Sequence, residues 1–161
     1  LGRASAVAGA GRSLGARVPV RPVAESISGA LAKIFANKKV AIDVDMAAEV
    51  AFRGHREDLE EILGNLLENA CKWANGRVRV SARDEGSCLL LSVEDDGSGM
   101  SPALAGQAAR RGKRLDEKMP GWGLGLSIVS DLVQVNGGEM TFSQSGLGGV
   151  SVTIRLPHTE A

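Results

Sequence analysis

Aromatic residues are scarce in this 161-residue chain, which has three Phe, two Trp and no Tyr. Its core must be built from Leu, Val, Ile and Ala, so Trp73 and Trp122 each call for a reason beyond filling space. Only two Cys (Cys71, Cys88) and two His (His55, His158) occur, widely separated and without a Cys-x-x-Cys. That argues against a disulfide scaffold or a zinc site and for a reducing, cytosolic setting. Nor does one sign of charge predominate: 19 basic and 19 acidic side chains cancel. A domain held to nucleic acid by bulk attraction to phosphate would carry an excess of Lys and Arg, so no nucleic-acid partner is expected. The longest apolar stretches, residues 88–91 and 124–129, fall far short of the ~20 residues of a membrane span, and no basic-then-apolar leader opens the chain. The piece itself is expected to be soluble. With 43% hydrophobic and 24% charged residues, a single domain is expected.

Residues 1–16 are Gly- and Ala-rich without apolar periodicity, and read as a linker or disordered remnant. Residues 17–161 read as one domain. The pattern predicts a short strand at 18–20, a helix over about 22–36 with Pro22 in its first turn, and two short strands at 40–44 and 50–52 that can pair with each other. A helix follows over 57–74, then a hairpin of strands 77–83 and 88–93. Regularity weakens over 101–122, where Gly106, Gly112, Pro120 and Gly121 mix with Arg110, Arg111, Lys113, Arg114 and Lys118; this reads as a basic lid. A helix over 123–135 is stopped by Asn136-Gly137-Gly138, and strands 139–143 and 150–156 flank a turn at 146–149. Counting elements gives an α+β fold, a two-layer sandwich with helices on one face of a mostly antiparallel sheet.

Three stretches carry candidate chemistry. On the 57–74 helix, Leu59, Ile62, Leu63, Leu66, Leu67, Ala70 and Cys71 form the apolar face. Asn65, Asn69 and Lys72 project within roughly 60° of one another on the other face, with Trp73 beside them and Glu61 a turn earlier. An Asn carbonyl is a hard neutral ligand, so Asn69 suits Mg²⁺, which takes one or two protein oxygens plus phosphates and waters. Lys72 would offset phosphate charge. Taken alone, each of these residues is more readily a solvated helix-face group, a reading that two amides clustered mid-helix weaken.

At the end of a buried strand stands Asp95-Asp96-Gly97-Ser98-Gly99. A carboxylate there can accept from an exocyclic amine such as that of adenine, where guanine would present a repelling oxygen, and the glycines permit close approach. The plain alternative is an ordinary strand-to-loop turn. The third stretch, Gly121-Trp122-Gly123-Leu124-Gly125-Leu126, opens a helix whose free backbone N–H groups suit an anion. No strand leads into it, against a dinucleotide-binding unit, and no Walker-type loop occurs anywhere.

In order and combination, these stretches resemble the ATP-binding catalytic domain of sensor histidine kinases, within the superfamily that includes type II topoisomerase, Hsp90-type and mismatch-repair ATPases. Asn65-Leu-Leu-Glu-Asn69-Ala-Cys-Lys72-Trp73 is similar to the family's N box, and Asp95-Asp-Gly97-Ser-Gly99-Met100 and Gly121-Trp-Gly123-Leu-Gly125-Leu126 to its two glycine boxes. The run Asn-Ala-Cys-Lys plus an aromatic, with Arg111-Gly-Lys-Arg114-Leu-Asp116, looks most like the magnesium-sensing sensor kinases of Gram-negative bacteria. The resemblance implies the Bergerat ATP-binding fold, with ATP and Mg²⁺ as cofactors. By position it implies Asn69 on Mg²⁺, Asn65 and Lys72 at the phosphates, Trp73 along the nucleotide and Asp95 on the adenine amine, beside Gly97 and Gly99. It further implies Met100 as an apolar wall of the base pocket, Arg114 as the lid's phosphate ligand, and the segment Gly123, Leu124, Gly125, Leu126 as phosphate cradle. Asn65, Lys72 and Arg114 would be the catalytic set.

Ala109, Met119 and Trp122 depart from the family pattern in the lid. Hydrolysing relatives have a Glu one turn before the Mg²⁺ asparagine, where this chain has Asn65, and an amide cannot act as a general base. ATP would then be kept for a histidine imidazole. Neither His55 nor His158 fits that acceptor; both are expected to be solvated surface residues. The implied partners are a histidine phosphoacceptor and dimerisation domain of the same kinase and a downstream response regulator, with the domain on the cytoplasmic side of an inner-membrane sensor. The fragment alone should bind ATP with little turnover. A hydrolysing ATPase and a non-catalytic nucleotide-binding or docking module are the alternatives.

Overall fold

The structure is a computed structural model and describes residues 17–97 and 123–158. Residues 1–16, read above as a linker, lie outside the described residues. A two-residue strand β1 (Val18–Pro19) leads into helix α1 (Val20–Ile34) and a single 3₁₀ turn (Ala36–Lys38). Strands β2 (Ala41–Met46) and β3 (Ala51–Phe52) precede the long helix α2 (Arg56–Trp73). The hairpin β4 (Arg77–Asp84) and β5 (Cys88–Asp95) comes next; α3 (Gly123–Val135), β6 (Glu139–Gln144) and β7 (Val150–Pro157) complete the fold.

The main sheet has the order β2-β4-β5-β7-β6, parallel only between β2 and β4. Alternation fixes its two faces. Val78, Val80 and Ala82 of β4, Leu89, Leu91 and Val93 of β5, and Val152, Ile154 and Leu156 of β7 are buried on one face. Arg79, Ser81 and Arg83, then Ser92 and Glu94, stand on the other, where Ser92 and Thr153 hydroxyls meet at 3.2 Å. The helices cover the apolar face: α1 lies against β2, α2 against β4 and β5, and α3 against β6. This is the α+β two-layer sandwich that the order of elements implies.

Strand β3 departs from the expected pairing. It pairs antiparallel with β1, in the register Val18 to Phe52 and Pro19 to Ala51, and not with β2. Ala51 and Phe52 are both buried, 7% and 2% exposed. A strand covered on both sides does not fit the outer edge of an open sheet, whereas the start of α1 supplies the cover: Val20 N–H donates to Val50 O at 3.0 Å. The histidines depart as well. His55 is half-buried at the start of α2, its carbonyl accepting from Asp58 N–H at 3.0 Å. The His158 side chain is only 13% exposed, its Nε2 3.1 Å from Asp84 Oδ1. Each docks at the end of a regular element, so neither is a free surface group.

Helix α2 is the backbone of the site. Leu59, Ile62, Leu63, Leu66 and Leu67 are at most 2% exposed, each contributing about 1.5–3 kcal/mol by burial. At its first turn Asn136 Nδ2, just beyond α3, donates to Asp58 Oδ2 at 3.3 Å and to Leu132 O at 2.9 Å. Midway along α2, Asn65 lies against Gly125 in the first turn of α3. The two helices therefore run antiparallel, and the N-terminus of α3 points at the middle of α2.

Candidate nucleotide-binding site

The polar stripe of α2 sits where the spacing places it. Asn65 and Asn69 are half-buried and Lys72 is exposed, while Leu66, Leu67, Ala70 and Cys71 between them are buried in the core. Asn65 Nδ2 donates to Glu61 O at 2.8 Å, back along the helix. That bond turns Oδ1 toward Gly125, where an added Cβ would stand 3.0 Å from it. Glycine at 125 thus lets the first turn of α3 approach the amide. The first N–H groups of a helix have no intrahelical partner, so this turn brings donors that the helix itself does not use to the stripe.

Asn69, one turn on, makes no hydrogen bond to a described residue. A half-buried amide oxygen that no described residue bonds fits one of the one or two protein oxygens that Mg²⁺ takes. Trp73, at the end of α2, is 38% exposed.

The strand-end carboxylate is built into the backbone. Asp95 is 6% exposed, and its Oδ1 accepts from Gly97 N–H at 2.8 Å and Val150 N–H at 3.3 Å. Among the described residues its hydrogen bonds all fall on Oδ1, which leaves Oδ2 for another donor. Burial pushes this carboxyl above the usual Asp range, against the pull of those two N–H groups; Asp96 adds to the rise and Lys38 opposes it. Gly97 touches the end of α2, since a Cβ there would collide with the Trp73 carbonyl. Gly149 is constrained in the same way: a Cβ would run into Asp95 Oδ1, while its N–H donates to Asp95 O at 3.0 Å.

Both carboxylates of the Asp95-Asp96 pair are therefore committed, to different tasks. Asp96 Oδ1 accepts three backbone N–H bonds, from Asn75 (2.8 Å), Gly76 (3.0 Å) and Arg77 (3.1 Å). Burial raises its pKa, but those three donors outweigh that and leave it lowered. This clamp fixes the turn from α2 into β4 against the end of β5. Sequence reasoning missed it, because the plain turn reading of Asp-Asp-Gly-Ser-Gly does not separate the two acids. Residues 146–149, expected as a simple turn, have a second role, because Gly149 is what allows Asp95 its place; the signal is the Gly-Gly pair immediately before a strand.

The remaining expected site residues divide cleanly. Gly99, Met100 and Arg114, with the whole basic lid, lie outside the described residues, as does Trp122. Gly123 opens α3 as expected, and nothing is described of the Leu124 side chain. Leu126 is 1% exposed and belongs to the core, so its side chain is directed away from a ligand and only its backbone remains for one. Cys71, in the middle of the N-box stretch, is buried, and burial pushes its thiol up to about 11. At neutral pH it is an inert packing group.

Two junctions thus tie three stretches together along one helix: Asn65 to Gly125, and the Trp73 carbonyl to Gly97. They are eight residues apart on α2, or about 12 Å along its axis.

The model of the histidine kinase-, DNA gyrase B- and HSP90-like ATPase family matches residues 54–160. The chain belongs to this family. Relatives within it include sensor kinases. Sensor protein kinase CarS of Pseudomonas aeruginosa is 46% identical over 102 residues, which are 63% of this chain and 23% of CarS. Sensor protein PhoQ of Escherichia coli K12 is 35% identical over 136 residues, 84% of this chain and 28% of PhoQ. The chain therefore spans about a quarter of the length of these curated relatives. Among solved structures, the mycobacterial sensor histidine kinase MprB aligns with a TM-score of 0.73 at 25% identity, over 88% of this chain and 96% of that one. Full-length ShkA in complex with AMPPNP aligns at 0.75 over 98% of this chain and 34% of its own; at 22% identity it bears on the fold alone. The chain is a histidine kinase-type ATPase domain. No helix among the described residues is long and apolar enough to cross a membrane.

Proposed function

We propose that this ATPase-family domain binds Mg-ATP along α2 and donates the γ-phosphoryl group to a histidine on a separate phosphoacceptor domain of a membrane-anchored sensor kinase, with a response regulator downstream. The base lies at the Trp73 end. There Asp95 Oδ2 accepts from the adenine amine, and guanine is disfavoured because its oxygen would face a carboxylate. The triphosphate runs from there toward Asn65 and the first turn of α3; Lys72 near the start of that path, and the backbone N–H groups of Gly123 and Gly125 at its far end, offset its charge. Asn69 would hold Mg²⁺, which neutralises charge on the phosphates. From the part of the chain beyond the described residues, Gly99 and Met100 would complete the base pocket, and Arg114 would reach the phosphates as lid ligand.

The observation that carries this reading is the pair of junctions on one helix, which sets at one end a carboxylate oxygen that no described residue bonds and at the other helix N–H donors without an intrahelical partner. Hydrolysis by this chain is disfavoured because Asn65 stands where a general base would be needed, and an amide has no basic site. Neutral imidazole needs no such base, so the chemistry reduces to in-line positioning and charge neutralisation. Incubating the chain with labelled ATP, Mg²⁺ and a histidine phosphoacceptor domain in trans tests the proposal. Acid-labile phosphohistidine on the acceptor is expected. Steady phosphate release by the chain alone, with no transfer to several acceptors, would overturn it in favour of a hydrolysing ATPase.

A further inference from the structure

Lys38 belongs to none of the three motif stretches, yet its ammonium reaches the site from 33 residues upstream. It stands at the end of the 3₁₀ turn Ala36–Lys38, which stops because Lys39 takes the left-handed conformation, φ 55° and ψ 48°. From there Nζ donates to the Lys72 carbonyl at 2.7 Å and to the Cys71 carbonyl at 3.0 Å. Those carbonyls are among the last four of α2, which have no partner within the helix. A cation is also favoured at that end by the helix dipole. The next carbonyl, that of Trp73, is the one seated against Gly97.

On the reading that the nucleotide base lies at this end of α2, we infer that Lys38 is a positioning residue for the base pocket: its ammonium clamps the last turn of α2 so that Trp73 and Gly97 keep their places around Asp95. Lys38 need not touch the nucleotide. The geometry singles out the base end, because the phosphate end of the site, at Asn65 and the first turn of α3, lies about 12 Å away along the helix. The same charge is felt at Asp95. Lys38 opposes the rise in that carboxyl's pKa, against burial and the neighbouring Asp96, and these two are the charges the described residues set around it.

The test uses Lys38→Met and the charge-keeping Lys38→Arg in the 161-residue chain, with ATP titrations across pH and inorganic triphosphate as the competitor. Lys38→Met should bind ATP several-fold more weakly, since the last turn of α2 loses the clamp that holds Trp73 and Gly97 in place. Inorganic triphosphate, which has no base, should lose clearly less affinity than ATP, because Lys38 holds the Lys72 carbonyl and not the ammonium that offsets the phosphates. The acid fall in ATP affinity should begin at higher pH in Lys38→Met than in the parent, and Lys38→Arg should restore both properties. Equal losses for ATP and triphosphate, or ATP affinity and pH profile unchanged in Lys38→Met, would overturn the inference. If the parent itself binds no ATP, the reading on which the inference rests fails, which is a distinguishable outcome.

Discussion

The Asn65 carboxamide and Gly125 face each other so closely that an added Cβ on the glycine would stand 3.0 Å from Oδ1. The contact joins the middle of α2 to the N-terminus of α3 across 60 residues of sequence. Gly125→Ala should therefore displace Asn65 or the helix end by a few tenths of an ångström. We expect a stability loss of no more than about 1–2 kcal/mol in denaturant melts. Misplacing the phosphate cradle should also show in function, lowering Mg-ATP affinity about tenfold or more. Parent-like affinity in this variant would mean that the Asn65 junction has no part in binding.

Asp95 should make nucleotide binding pH-dependent. Its pKa is raised by burial, so the carboxylate takes up a proton at a pH above the ordinary Asp range. Only the ionised form offers a charged acceptor to the adenine amine, so ATP affinity should fall as pH drops through that raised value. Asp95→Asn should bind ATP about tenfold or more weakly and lose this pH dependence. Stability moves the other way. A raised folded-state pKa disfavours the fold in full above that pKa, and the penalty fades as pH falls from it to the unfolded-state value. The Asn variant should thus be no less stable than the parent at pH 7. A variant that binds ATP as the parent does would remove the base-pocket assignment.

Asp96 gives the opposite sign. Its folded-state pKa lies below the ordinary value, so the stability it supplies is present above the unfolded-state pKa and is lost as pH falls through the lowered one. Asp96→Ala leaves three backbone N–H groups without their carboxylate, and should cost about 1–3 kcal/mol at pH 7. The acid limb of the stability curve should flatten in the variant. Chemical denaturation at pH 7 and at pH 3 checks both statements; equal stability of parent and variant at pH 7 would contradict the clamp.

Much of this was legible beforehand because the decisive patterns are periodic. The i, i+4, i+7 spacing of Asn65, Asn69 and Lys72 fixes one helix face whatever surrounds it. The strict alternation of Val78, Val80 and Ala82 and of Leu89, Leu91 and Val93 fixes one sheet face in the same way. Contacts between distant segments leave no such trace. Nothing local marks Lys38 as the partner of two carbonyls beyond residue 70, or Gly149 as the glycine that admits Asp95. Strand β3 was misassigned for the same reason: its length allows pairing with either neighbour, and only the burial of both Ala51 and Phe52 decides between them. Burial also withdrew the histidines and the Leu126 side chain from the places their residue types suggest.

Calorimetric titration of the chain with ATP, with and without Mg²⁺, on the parent and on Asn69→Ala and Asp95→Asn, tests the central claim most directly. If one site spans α2, ATP binds the parent tightly only with Mg²⁺, GTP binds poorly, Asn69→Ala loses the metal dependence, and Asp95→Asn loses affinity while keeping it. Affinity for ATP that is indifferent to metal, base and both substitutions would contradict the account.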